Sequence, residues 1–449
     1  MSANTETALR AWAAGILGDA PQALNQIPGG GSRTSYVVLM QDGAKYLLRA
    51  DNGKGVLSGT LFTIEREYRV ISALHKAGFP APAIYGYDPA VNAMLMEFVA
   101  GKTSYQVAVN AEQQKTIQRN LMQQVVALHG LDMAVLGLAD FARLDTVQAA
   151  LEKDLGILRG MYEAAHVSKE PEIDFALRWL SDNIPEGDLP ACLVHGDVGP
   201  GNFLFHESDG ALSAIIDWEV THMGHPLEDL AAVLCRALGV PFGENADHIA
   251  NYERFTGAKV DTAALEYFII LVLTRWYIGL NNGLSHLAYS QNIPVILTYR
   301  QSVAYTLITL LAKRFGMATS PFRNENTAQH DFIHGYIMHT LEDVVAPAIE
   351  SPFVADRALG VAKLAKYLRD LLEFGPERLA RLEQDEIEAL TGEKFVDLER
   401  ARAAACAFVR TMRDEKAPDF MRYLLASSGR KHKIWAAAMG DMAERQMTY

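Results

Sequence analysis

Hydrophobic and polar positions change period several times along the chain, and each change marks an element. After an initial helical stretch, TSYVVLM at 34–40 and KYLLRA at 45–50 read as strands, joined across the hairpin signal QDGA. A run of three glycines, Gly29, Gly30 and Gly31, precedes the first of them. From Leu61 the sequence FTIEREYRVISALHKAG carries apolar residues at helical spacing and stops at Gly78. A further strand pair is expected around the prolines that follow, and AMLMEFVAG at 93–101 reads as a strand running into a Gly. The first hundred residues therefore predict a small sheet with one prominent helix. From about 103 to 185 the period is helical, as in TIQRNLMQQVVALHGL. LVHGDVGPGNFLF at 193–205 interrupts it, and a hairpin follows: NFLF, the turn HESDGA, then LSAIIDWEV. Helical patterns resume to about 320, and 330–449 forms a last helical section with charge-rich segments such as PERLARLEQDEIEAL.

Composition bounds what such a layout can do. The chain has 449 residues, 49% hydrophobic and 21% charged, which suits two or three globular domains. Its net charge of −13 argues against nucleic acid or an anionic membrane as partner. The one basic cluster, RKHK at 430–433, reads as a solvated helix end. No basic segment followed by an apolar one opens the sequence, so no secretory signal is expected. The most apolar window, YFIILVLT at 267–274, stops at Arg275 and is too short to span a bilayer. Cys192, Cys235 and Cys406 lie far apart without metal-type spacing. A reduced, cytoplasmic protein is the expectation.

The chemistry gathers where apolar elements end in polar residues. Asp197 and Asn202 sit on a Gly-Pro loop between two apolar runs, and LSAII delivers Asp217 at its end with Glu219 two residues on. The hairpin between them brings Asp217 back towards the loop. A carboxylate and a carboxamide oxygen suit Mg²⁺ held together with phosphate oxygens. The remaining carboxylate, Asp197, is then free to take a proton from a hydroxyl. Asp and Asn are ordinary turn residues singly, but turn chemistry does not account for the joint pattern.

HGDVGPGN followed by IIDWE resembles the aminoglycoside-phosphotransferase and choline-kinase-like family of small-molecule kinases. The resemblance extends over roughly 20 to 310. GHPLEDLA at 224–231 is similar to that family's Gly-x-Pro-x-x-Asp-Leu-Ala helix start, and NYERFTGAKVDTAALEYFIILVLTRWYIG at 251–279 resembles the branch associated with acyl-CoA dehydrogenases. It implies an α+β, bilobal protein-kinase-like fold: a small antiparallel-sheet N-lobe with one main helix at 1–100, a mostly helical C-lobe at 101–329 with catalytic loop, metal site and acceptor pocket, and a helical C-terminal extension at 330–449. It further implies an ATP- and Mg²⁺-dependent phosphotransferase acting on the hydroxyl of a small molecule. Asp197 would be the catalytic base, Asn202 and Asp217 the metal ligands, Glu219 a weaker candidate acting through a metal-bound water, His195 a brace for the loop, and Asp229 a loop-bracing or helix N-terminal carboxylate.

The same resemblance assigns the nucleotide clamp. Gly29, Gly30, Gly31 and Ser32 occupy the phosphate-covering hairpin, where glycines let backbone N–H groups approach phosphate oxygens. No G-x-x-x-x-G-K-[ST] occurs, which excludes a Walker-type loop. Lys45 and Arg49 share a strand face, and YLLRA selects Arg49 as the phosphate-reaching cation. Glu65 and Glu67 are the candidates to pair it, and the family's Arg-Glu-Tyr selects Glu67. MEFVAG resembles the inter-lobe hinge, with backbone groups of Glu97 and Val99 meeting the adenine edge. One departure stands out: Gly199 lies where protein kinases have Lys and many antibiotic kinases have His. Charge on the transferring phosphoryl group would then be offset mainly by Mg²⁺ and Arg49.

Other features carry less. His222 with His225, and His330 with His334, have spacings a metal site could use but no matching Cys or carboxylate set. Trp218 and Trp276 read as core or pocket-wall aromatics, and Trp276 and Tyr277 lie where the family's acceptor pocket tends to be. Leu379, Leu382, Ile387 and Leu390 share a helical face that would pack on the large lobe or on a partner subunit, a route to a homodimer. The acceptor stays open between a catabolic hydroxy acid or hydroxyacyl-CoA and an aminoglycoside or amino-alcohol. A catalytically inactive nucleotide-binding regulator on the same fold is the rival of another class, although Asp197, Asn202 and Asp217 are all present.

Overall fold

A computed structural model describes residues 3–27, 33–51, 53, 57, 60–103, 110–141, 146–165, 169–185, 191–284, 293–323 and 332–449. By density of packing the chain divides into two units. The first comprises Met1–Asp154, Pro185–Val272 and the last two residues, and the second Leu155–Ile184 and Leu273–Met447. These cuts fall elsewhere than the sequence boundaries at 100 and 329, because compactness follows packing whereas those boundaries follow motifs. Gly29, Gly30, Gly31 and Ser32, expected over the phosphates, lie outside the described residues, as does His330.

In the first unit, helix α1 (Ala3–Leu17) leads into a five-stranded antiparallel sheet of β1 (Ala23–Gln26), β2 (Thr34–Leu39), β3 (Lys45–Ala50), β4 (Ile84–Asp88) and β5 (Ala93–Glu97), in the order β1-β2-β3-β5-β4. The QDGA turn closes with Met40 N–H donating to Ala44 O at 2.9 Å. Alternation sends Tyr36, Val38, Leu48, Ala50, Ala93 and Leu95 to one side, where Leu9 and Ala13 of α1 complete a core. Each large apolar side chain fully buried there contributes about 2 kcal/mol. Strand β1 was not among the expected elements: ALNQ is four residues without alternation, and pairing with β2, Ala23 opposite Leu39, makes it a strand.

Helix α2 (Ile64–Lys76) begins at Thr63, whose side chain accepts from Arg66 N–H. Its buried face reads Ile64, Glu67, Val70, Ile71 and Leu74, a helical stripe with one carboxylate set into it. Helix α3 (Ala111–His129) opens with a full capping box between Asn110 and Gln113. Helices α4 (Val147–Ala164) and α5 (Pro171–Asp182) follow. Two short pairs then frame the polar loops: β6 (Cys192–Val194) with β9 (His222–Gly224), and β7 (Phe203–Phe205) with β8 (Leu212–Ile215). After them run α6 (Leu227–Gly239), α7 (Asn245–Thr256) and α8 (Thr262–Gly283).

The second unit is helical: besides α5, most of α4 and the end of α8, it holds α9 (Ile293–Arg314), α10 (Phe332–His339), α11 (Pro352–Phe374), α12 (Pro376–Thr391), α13 (Leu398–Thr411) and α14 (Ala417–Met439). Helix α14 packs along α9 and α11. Buried carboxylates there are matched by cations. Arg300 donates to Glu170 at 2.6 Å, Arg402 grips Glu383 at 2.9 and 2.7 Å, and Lys431 reaches Glu172 at 3.0 Å and Glu383 at 3.4 Å. Burial works against the Glu383 charge, but Lys431 and Arg402 outweigh it and hold the carboxyl at about 2. Tyr277, expected near an acceptor pocket, is buried with its hydroxyl 3.5 Å from Glu170.

Two expectations are corrected here. RKHK at 430–433 is not a solvated helix end, because it lies within α14 with His432 buried and Lys431 paired to Glu172 and Glu383. Arg275 does not end the apolar run around 267–274. It is buried within α8, which continues to Gly283 and, like α9, is long and apolar enough by length and composition to cross a membrane. Both helices are mostly buried inside the protein.

Candidate active site

The polar loop is held at both ends. Strand β6 pairs with β9, Val194 opposite His222, and β7 pairs with β8, Phe203 opposite Ile215. Ile216 N–H then donates to Asn202 O at 2.9 Å, which sets Asp217 beside Asn202. Asn202 Nδ2 donates to Asp197 Oδ2 at 2.9 Å and to the Asp197 carbonyl at 2.8 Å. The sheet and this loop are also joined at the end of β5. Gly101, with φ of +156°, lies where a Cβ would come 3.0 Å from Leu204 Cβ, and Lys102 bridges to Phe205.

His195 is fully buried. Its Nε2 donates to Ile216 O at 3.0 Å, and its Nδ1 accepts the Asp197 N–H at 3.2 Å. Trp218 packs on that imidazole and on Phe79. Asp229, fully buried near the start of α6, accepts from His195 N–H at 2.9 Å, from Gly196 N–H at 2.8 Å and from His129 Nε2 at 3.0 Å. Burial alone would raise its carboxyl, and these donors hold it below the usual range.

From the sheet side, Arg49 projects inward from β3, 8% exposed. Its Nη1 lies 2.7 Å from Glu67 Oε1 and 2.8 Å from Asp217 Oδ1, and its Nη2 lies 3.0 Å from Glu219 Oε2. Burial disfavours the Arg49 charge, yet the three carboxylates raise its proton affinity. Burial likewise would lift Asp217, and Arg49 reverses this and holds it low. Lys45 points elsewhere, over the Phe98 ring at 5.8 Å, and Glu65 is exposed. Glu97 N–H is taken by Ala83 O at 2.8 Å, and Val99 is half-buried on the segment beyond β5. His222 is engaged by Glu228 at 3.1 Å, and His225 stacks on Phe268, where burial pushes it down to about 4.

One residue of this constellation was not singled out from the sequence. Arg236, in the last turn of α6, places Nη1 2.8 Å from both Asp197 oxygens, donates from Nε to Pro200 O at 2.8 Å, and brings Nη2 to 3.3 Å from Asn202 Oδ1. The available signal was a single cation in the otherwise apolar helix LAAVLCRALG, seven residues after Asp229 and so on the same helical face.

The donor set fits a magnesium ion bound with phosphate. Asp217 Oδ1 is buried beside Arg49 Nη1 at 2.8 Å, and Asn202 Oδ1 has a long contact, 3.3 Å, to Arg236. Among the described residues no three His, Cys, Asp or Glu side chains form a metal cluster. A carboxylate beside a carboxamide, a second carboxylate and a buried arginine are groups that phosphoryl transfer can use.

Comparison with known proteins gives the family. The model of the phosphotransferase enzyme family, APH, matches residues 23–265, more than half of the chain. The chain belongs to that family. Acyl-CoA dehydrogenase family member 11 of Rattus norvegicus is 30% identical over 200 residues, covering 43% of this chain and 25% of the rat protein. Acyl-CoA dehydrogenase family member 10 of Mus musculus is 26% identical over 237 residues, covering 50% of this chain and 22% of the mouse protein. The matches thus span about a quarter of those relatives. A Ralstonia eutropha protein provisionally designated an aminoglycoside phosphotransferase shares the fold, with a TM-score of 0.51 at 22% identity over 66% of this chain and 94% of that one. The α+β, kinase-like architecture expected from the sequence is therefore that of the protein.

Proposed function

We propose that this phosphotransferase moves the γ-phosphoryl group of ATP, with Mg²⁺, to the hydroxyl of a small hydroxy acid or its acyl-CoA thioester. The observation that carries the chemistry is the convergence of Asp197, Asn202 and Asp217 on loops pinned by Asp229 and His195, with the Arg49–Glu67 pair opposite. Asp197 orients the acceptor hydroxyl and takes its proton. Asn202 and Asp217 would hold Mg²⁺, which when bound neutralises charge on the nucleotide phosphates. Arg49, kept extended by Glu67, binds phosphate oxygens, and as an arginine it stays charged throughout.

The acceptor class rests on kinship with proteins named acyl-CoA dehydrogenase family members, whose own chains are about four times longer than the matched part. A second reading has one observation in its favour: viomycin phosphotransferase of Streptomyces vinaceus is 40% identical over 58 residues, 12% of this chain and 18% of that one. A cytoplasmic location is part of the proposal and accords with three free cysteines.

The test is ATP consumption, with product identification, across hydroxy acids, their CoA esters and aminoglycosides. Turnover with hydroxy acids or CoA esters, abolished in Asp197→Asn while ATP binding persists, supports the proposal. Turnover confined to aminoglycosides transfers it to the second reading. A wild type that phosphorylates nothing and matches Asp197→Asn makes the chain a nucleotide-binding regulator.

A further inference from the structure

We infer that Arg236 supplies, from helix α6, the positive charge that the catalytic loop lacks at Gly199, and that it selects the Asp197 oxygen that receives the proton. This rests on the phosphotransferase reading above. Gly199 has φ of +144°, and a Cβ built there would lie 3.0 Å from Arg236 Cδ, 3.2 Å from Arg236 Cβ and 3.3 Å from Val233 Cα. The space a loop side chain would use is filled by the arginine of another element. Absence of a side chain at 199 and presence of the cation at 236 are thus one arrangement.

Helix α6 acts as a splint. Asp229 holds the start of the loop at His195 and Gly196, and Arg236, seven residues and roughly 10 Å further along the same face, holds Asp197, Pro200 and Asn202. The Nε bond to Pro200 O at 2.8 Å fixes the guanidinium without help from Asp197. Its charge is therefore preorganised, as transition-state stabilisation requires.

The hydrogen bonds around Asp197 distinguish its two oxygens. Oδ2 accepts from both Asn202 Nδ2 and Arg236 Nη1, and Oδ1 accepts from Arg236 Nη1. A carboxylate oxygen offers two lone pairs, so Oδ1 keeps one for the acceptor hydroxyl. In the transfer, the acceptor O–P bond forms, and the bond from Pγ to the bridging oxygen breaks. ADP keeps that electron pair, and the hydroxyl proton passes to Asp197 Oδ1. Arg236 then faces the negative charge shared between the entering oxygen and the transferred group. It is a positioning and charge-supplying residue.

The experiment compares wild type, Arg236→Met and Arg236→Lys for binding of MgADP and of MgADP with aluminium fluoride, a mimic of the transferring group, and for steady-state ATP turnover. For Arg236→Met, MgADP affinity is expected to be preserved, the added affinity given by aluminium fluoride to fall about 100-fold, and kcat to fall about 100-fold or more with little change in KM for ATP. Guanidinium ion should restore part of that turnover, and Arg236→Lys should lie between. Equal gain from aluminium fluoride in wild type and Arg236→Met overturns the assignment of Arg236 alone. Failure of guanidinium to rescue a folded Arg236→Met does the same. A wild type that binds no MgADP overturns the phosphotransferase reading, and this inference with it.

Discussion

Replacing Arg49 by Met removes one positive charge from among three carboxylates. Glu67 suffers most, because its side chain is fully buried and its Oε1 lies 2.7 Å from Arg49. Removing one member of a buried ion pair costs about 3–5 kcal/mol, since the other charge is left without solvent or counterion. Asp217 and Glu219 are 31% and 14% exposed at the side chain, and water screens part of their loss. The cost is thus assigned chiefly to Glu67. At ~2–4 °C per kcal/mol for a unit of this size, the expected drop in Tm is about 10 °C. Burial and the neighbouring Asp217 both raise the Glu67 carboxyl, with Arg49 as the main opposing force and Arg33 a lesser one. Without that arginine, Glu67 should take up a proton on folding, and the variant should regain stability as pH falls towards 5. The double variant Arg49→Met, Glu67→Leu should recover most of the loss at pH 7. Urea unfolding of the four proteins of this cycle, at pH 7 and pH 5, measures each quantity. A loss below ~1 kcal/mol for Arg49→Met, or a double variant no more stable than Arg49→Met, refutes the argument that a buried carboxylate compensated chiefly by Arg49 governs this site.

Gly199→Ala adds a Cβ 3.0 Å from Arg236 Cδ in left-handed backbone, so it should cost about 1–2 kcal/mol of stability and lower kcat further than that loss accounts for; melting curves beside turnover separate the two. His248 is buried and hydrogen-bonded to Phe242 O, and burial pushes it down to about 4. Its folded value lies below the unfolded value near 6.5, so its share of stability is complete above 6.5 and is lost as pH falls towards 4. That amounts to about 3 kcal/mol at most, and His248→Gln should flatten the slope in urea titrations across that window. Lys431→Met leaves Glu172 and Glu383 short of a buried cation and should destabilise by about 3–5 kcal/mol. Because Glu383 is held near 2 against an ordinary 4.5, wild type should lose stability between pH 4.5 and 2, and the variant should lose less over that range.

What could be read from the sequence differed by element for physical reasons. The hairpins and α2 were legible because alternation, the turn residues and a helical stripe agreed locally. The placement of Asp197, Asn202 and Asp217 followed from the one hairpin that returns the chain, whereas the pairing of β6 with β9 was not read. Choosing Arg49 over Lys45 and Glu67 over Glu65 drew on resemblance, and the structure gives the reason: Arg49 and Glu67 face inward, whereas Lys45 and Glu65 stand at the surface. Strand β1 carried no local signal, since an edge strand of four residues is defined by its neighbour. Arg236 was hidden for another reason. A lone arginine in the last turn of a helix reads as a favourable partner for the helix C-terminus, and only its approach to a loop almost forty residues earlier gives it a second meaning.

Asp217 is one of two non-glycine residues with positive φ among the described residues, at +69°. Left-handed backbone costs most side chains roughly 1–2 kcal/mol and spares glycine, asparagine and aspartate. The alphabet open to this position is therefore three letters long before any chemistry is asked of it. Within that alphabet a single letter carries a negative charge. Asp217→Asn accordingly changes charge at nearly constant backbone cost, whereas Asp217→Ala changes both. Backbone geometry and electrostatics, two independent filters, arrive at the same residue.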